Sequence, residues 1–104
     1  MSKYLDNVKK YVDNPNADAV DSLEGHLGIA LDSRDGSVVA ATDPAELAKI
    51  RDGYCSTNLD LDKDEADAAI QKVCDIMKGD TAKCRVTFYY LLAQETDRMN
   101  RLVG

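Results

Sequence analysis

The chain has 104 residues, 44% of them apolar and 31% charged, with a net charge of −6 and a pI near 4.6. At that length a single domain buries roughly two thirds of the unfolded chain's surface, so a core forms without disulfide or metal staples. The acidic balance argues against a nucleic-acid binder, whose affinity rests on Lys and Arg, and against docking on an anionic membrane.

Ser2 is placed to cap a first helix in which Tyr4, Leu5, Val8, Tyr11 and Val12 share one face. Asp13-Asn14-Pro15-Asn16 breaks it, with Asn14 the expected cap of a second helix and Pro15 its first residue. Val20, Leu23, Leu27, Ala30 and Leu31 stripe that helix, and Asp18, Asp21 and Glu24 suit its positive end. Gly25 and Gly28 each weaken it by about 1 kcal/mol relative to Ala, which suits the close passage of another helix. Asp32-Ser33-Arg34-Asp35-Gly36 reads as a turn. Ser37–Ala41 reads as an extended connector whose valines plug the core, a short strand with no obvious partner being the alternative.

Asp43 is the expected cap of the third helix, with Pro44 first and Glu46 spaced to close a capping box. Leu47, Ile50 and Tyr54 form its inner face, and Gly53 followed by Ser56-Thr57-Asn58 predicts an end soon after Tyr54. Leu59 and Leu61 pin a loop. Asp62 and Glu65 make a second capping box, opening a helix with Ala66, Ala69, Ile70, Val73 and Met77 inward and Gly79 as a left-handed cap. In the last segment Val86 to Tyr90 has strand-like composition. Cys84, Phe88, Leu91, Leu92, Met99 and Leu102 nevertheless hold a helical stripe uninterrupted by Gly or Pro. The spacing therefore predicts a helix from about Thr81 to Arg101, apolar on nearly every side and so central. The expected fold is all-α: one domain over residues 1–104, a small bundle of five helices around that C-terminal helix.

The residues that carry chemistry are few. Asp60-x-Asp62-x-Asp64 opens like a calcium loop, but Glu65 and Gln71 stand where Gly and a bidentate Glu are required, and helix capping explains the carboxylates. His26 is the lone histidine and reads as structural. With Cys55, Cys74 and Cys84 it matches no zinc spacing, and no metal or cofactor is expected. The odd number of cysteines, the missing Cys-x-x-Cys pair and the lack of a signal-like or membrane-spanning segment point to reduced thiols in a cytoplasmic protein. Cys84, between Lys83 and Arg85, has the best surroundings for an activated thiol, although a small buried hydrophobe is the simpler account. Lys83 and Arg85 at the start of the last helix, with Arg51 and with Tyr89 one turn on, form a candidate site for a small anion or ligand. Ion pairing with carboxylates on adjacent helices, each worth at most ~1 kcal/mol, is the plainer role for these cations.

Asp43-Pro44-Ala45-Glu46-Leu47, Arg51-Asp52-Gly53, Met77-Lys78-Gly79-Asp80 and Arg85-Val86-Thr87-Phe88-Tyr89-Tyr90-Leu91-Leu92-Ala93 together resemble a family of small bacterial proteins known as a domain of unknown function. Tyr4-Leu5-Asp6-Asn7-Val8-Lys9-Lys10-Tyr11 and Gly28-Ile29-Ala30-Leu31 fit it as well, so the resemblance runs from about Lys3 to Gln94. It implies a bacterial, cytoplasmic, mostly helical single domain and no particular activity. Residues 95–104 read as a C-terminal extension, whose Met99 and Leu102 suit packing on the first helix or on a second copy, fraying being the third alternative. Two functions are carried forward: a non-enzymatic binding or interaction module, with a protein partner or a homo-oligomer, and a small-ligand protein or enzyme built on Arg51, Lys83, Arg85 and Tyr89.

Overall fold

A computed structural model describes residues 3–28, 38–80 and 83–103. The expected roles of Ser2, Ala30, Leu31, Thr81 and the turn at 32–36 lie outside those residues. Helix α1 (Lys3–Val8) loosens into turns that carry Tyr11 and Val12 against the core, with Val8 fully buried. The cap of the next helix is Asn16 rather than Asn14. Its Oδ1 accepts from the backbone N–H groups of Asp18 and Ala19 at 3.0 and 3.2 Å, and α2 (Ala17–Leu27) follows. The Asn16 N–H meanwhile donates to the Tyr90 hydroxyl at 2.8 Å, which holds that residue outside the helix and ties the reversal to the centre of the fold.

The two glycines of α2 also behave differently from expectation. Gly25 is exposed with open space around it, so no helix passes close there. Gly28 is the terminator, at φ 45° and ψ −119°, a conformation that L side chains avoid. Two substitutions should therefore move stability in opposite directions in urea unfolding. Gly25→Ala is expected to stabilise by about 0.5–1 kcal/mol and Gly28→Ala to destabilise by about 1 kcal/mol or more.

Val38–Val39 is a strand, not a connector: β1 (Val38–Val39) pairs antiparallel with β2 (Lys83–Cys84), Val38 opposite Cys84 and Val39 opposite Lys83. Two residues carry no readable period, and the partner lies in a stretch whose stripe reads as helix. Val39 is buried, so the plug into the core is real. In α3 (Pro44–Ile50) the Asp43 carboxylate accepts from the Ala45 N–H at 3.0 Å. The capping box does not close, because the Asp43 N–H donates to the Ala40 carbonyl and Glu46 pairs instead with Arg85.

The chain then continues directly into a π-helix, Arg51–Asn58, instead of ending after Tyr54. The wider turn places the adjacent Tyr54 and Cys55 both in the core, and the Leu59 N–H closes it on the Tyr54 carbonyl at 3.1 Å. Leu59 and Leu61 are buried on either side of Asp60, as a pinned loop requires. Asp62 caps α4 (Lys63–Ile76) through the Glu65 N–H at 2.8 Å, and Ala66, Ala69, Ile70, Val73 and Met77 are all buried. Gly79 is not left-handed. The helix closes on Met77, whose N–H returns to Val73.

The central helix is shorter than its stripe. Lys83 and Cys84 are taken by the strand pairing, so α5 spans Arg85–Glu95, and every residue from Val86 to Ala93 is buried. After Thr96, Asp97 at φ 58° breaks the helix before α6 (Asn100–Val103). Arg98 secures the break by donating its N–H to Ala93 and its Nε to Leu59, at 2.7 and 3.1 Å. α6 folds back onto α2. The result is an all-α bundle in which α1, α2 and α4 surround α5, with six α-helices and one π-helix among the described residues in place of five helices.

Candidate functional site

Of the four candidate site residues, the fold joins Arg85 and Tyr89. Arg85 Nη2 donates to the Val38 carbonyl at 2.9 Å and to the Glu46 carboxylate, and Nη1 reaches the Tyr89 hydroxyl at 3.2 Å. Tyr89 stacks on Tyr54 of the π-helix, ring centroids 4.1 Å apart, while the Tyr54 hydroxyl donates to the Tyr89 carbonyl at 2.9 Å. A continuous run of contacts thus links α3, β1, α5 and the π-helix. Burial pulls the Arg85 pKa down, but the bonds to Glu46 and Tyr89 outweigh it, so the guanidinium stays above its ordinary value. Burial raises both tyrosines, Tyr54 most strongly.

Arg51 and Lys83 are held elsewhere. Arg51 pairs with Asp52 at 2.9 Å and Asp67 at 3.6 Å, and Lys83 Nζ donates to the Asp80 carbonyl at 2.8 Å. Beside Arg85 opens a cleft of about 400 Å³ lined by Val38, Ala40, Asp43, Glu46, Lys49 and Arg85. Lys49 and Glu46 are thus the neighbours that sequence reasoning missed. Their (i, i+3) spacing on α3 was the available signal, masked by the capping role that Glu46 suggested.

The remaining candidates separate. Asp62 caps α4 and Asp60 pairs with Arg101 at 3.2 Å, so the acidic run does not converge. Among the described residues no group of three His, Cys, Asp or Glu is arranged to hold a metal ion. His26 is exposed on the last turn of α2. Cys84 is half-buried at the N-cap of α5. Burial raises Cys74 despite the nearby Lys83, and it pushes the fully enclosed Cys55 thiol from 9.0 up to about 12, with Asp67 adding to the shift.

The sign of the Cys55 effect follows from linkage. The unfolded chain loses this proton near 9.0 while the folded chain keeps it to about 12, so stability falls as pH rises through that window. Urea unfolding followed from about pH 8 to about pH 11 should show this loss, and Cys55→Ala should reduce it, the remainder belonging to Cys74, Tyr54 and Tyr89, which burial raises as well.

A second concavity, which nothing in the sequence flagged, lies between α4 and the turn after α5. It is a groove of about 440 Å³ lined by Glu65, Ala68, Ala69, Lys72, Glu95, Thr96 and Asp97. Lys72 and Glu95 bridge it at 3.0 Å. One turn beyond Lys72 on the same line of α4 stands Ile76, 38% exposed and the exposed large apolar side chain among the described residues. Ala68 and the isolated Ile fit no core-facing period, because their line is a quarter turn or so away from the Ala66–Ile70–Val73–Met77 face, while Ala69 belongs to the buried stripe and borders the groove.

A family model described as "Protein of unknown function (DUF2853)" matches residues 3–100. No curated protein matches the chain. Among the described residues no helix is long and apolar enough to cross a membrane.

Proposed function

The chain belongs to this family of proteins of unknown function, and on that premise we propose that it is a non-enzymatic protein-binding module of the bacterial cytoplasm, docking its partner along the Glu65–Ile76 line of α4. The observation that carries this reading is the pairing of an alanine-floored groove with an exposed Ile on the same helix line. A lone exposed apolar side chain is ordinary, but this one stands one turn beyond the groove on the same face of the helix, past the Lys72–Glu95 pair. The polar groups around Arg85, by contrast, are engaged in joining elements of the fold.

The test is a photo-crosslinking amino acid placed at Ala68 in the producing cell, with Ser22 on the exposed side of α2 as control. The reading expects one protein crosslinked from position 68 and not from 22, which then forms a stoichiometric complex when both are purified. Equal capture from both positions, or no complex on reconstitution, contradicts it.

A second reading seats a small anion in the cleft beside Arg85, favoured because Lys49 and Arg85 both line it. Such a ligand has to displace the Glu46 carboxylate, which makes this the weaker proposal. Arg51, Lys83 and Tyr89 do not line that cleft and would act only through their neighbours. Inorganic phosphate titrated by calorimetry is expected to give saturable heat on this reading; its absence removes it.

A further inference from the structure

Resting on the docking reading, the geometry points to the chemistry of the partner: we infer that the α4 groove takes a basic amphipathic helix. From Glu65 to Ile76 the line rises about 16 Å, three turns of helix, which matches a partner helix of similar length better than a single inserted side chain. Its floor is Ala68 and Ala69. Such small residues let a second helix approach to the short end of the usual 8–10 Å interaxial range. Ile76 at one end supplies an apolar anchor for a residue on the partner's inner face.

Charge sets the rest. Three carboxylates, Glu65, Glu95 and Asp97, stand on the groove against one cation, Lys72, which is already engaged by Glu95. A cationic helix meets complementary potential there, whereas a second copy of this chain, itself at −6, brings the same acidic rim against itself.

The probe is a synthetic peptide of leucines and lysines at helical spacing, compared with one in which glutamates replace the lysines. Chemical-shift titrations of the full chain are made at about 50 mM and about 300 mM salt, a range that halves the screening length or more. A neutralised triple variant, Glu65→Gln/Glu95→Gln/Asp97→Asn, keeps the side-chain shapes; Gln at 65 retains the backbone N–H that Asp62 caps and Asn tolerates the left-handed turn at Asp97. Asp13→Asn/Asp21→Asn, exposed and away from the groove, is the control.

The expected result is shifts confined to residues 65–76 and 95–97, an affinity that falls with salt, and a further loss of about tenfold in the triple variant but not in the control. Equal groove binding by the glutamate peptide overturns the charge inference and leaves the docking reading standing. Shifts outside the groove with both peptides overturn both. No shift with the lysine peptide, or groove shifts that grow with protein concentration alone, overturn the basic helix as occupant.

Discussion

Phe88→Ala is expected to lower the stability of the domain by about 3–5 kcal/mol. Phe88 has no exposed surface and sits in the middle of α5, the helix around which α1, α2 and α4 pack. Truncation removes the transfer free energy of the ring and leaves a cavity whose walls belong to several elements, so collapse of one neighbour does not fill it. A domain of this size has about 5–15 kcal/mol of stability in total, so the loss consumes a large part of it. Urea unfolding should show a much lower midpoint with an unchanged slope. Phe88→Leu, which keeps most of the volume, should lose far less, and equal losses in the two variants contradict this account.

Arg85→Met is the second large effect, at about 2–3 kcal/mol. The Arg85 and Glu46 side chains are 13% and 17% exposed, so removing the guanidinium leaves a carboxylate largely out of water with no cation beside it. The Val38 carbonyl and the Tyr89 hydroxyl lose a donor in the same step. The residual exposure keeps the loss below that of a fully buried pair. In a double-mutant cycle with Glu46→Gln, the coupling should come out at about 1–2 kcal/mol. Additive losses would show that the pair with Glu46 contributes nothing and that Arg85 acts through Val38, Tyr89 and packing instead.

Both effects concern residues that the sequence marks, but for different reasons. Phe88 was legible because it stands in the run from Val86 to Ala93, the densest apolar stretch of the chain despite Thr87, so any register of the helix buries it. The caps at Asp43 and Asp62 were equally legible, since capping is decided within four residues. Asn16 displaced Asn14 through a hydrogen bond from its N–H to the Tyr90 hydroxyl, seventy-four positions away, which no local pattern contains. The π-helix escaped for a related reason: Gly53 and the polar run after Cys55 look like an end, and only the core's need for both Tyr54 and Cys55 keeps the turn going. The strand pairing of Val38–Val39 with Lys83–Cys84 and the break at Asp97 are likewise decisions of tertiary contact.

The candidate surfaces were the least legible part. Arg85 and Tyr89 stood out by residue type, yet their partners Glu46, Val38 and Tyr54 come from other elements and turn the cluster into a tie between them. The α4 groove has the opposite character. Alanines and a single Ile carry little signal in a sequence, and they become a surface only when the turn at Thr96–Asp97 is laid beside them.

The central claim is that docking runs along α4 while the Arg85 cluster serves the fold. It is tested most directly by the affinity of the reconstituted partner for Ala68→Arg and Arg85→Met side by side, each compared with its own unfolding curve. Ala68 is exposed and Arg is a good helix former, so Ala68→Arg should leave the urea midpoint unchanged and weaken binding by about tenfold or more. Arg85→Met should do the reverse, losing stability but, where still folded, binding as the unaltered chain does. Full affinity in Ala68→Arg, with binding lost instead in folded Arg85→Met, would move the functional site to the cleft beside Arg85.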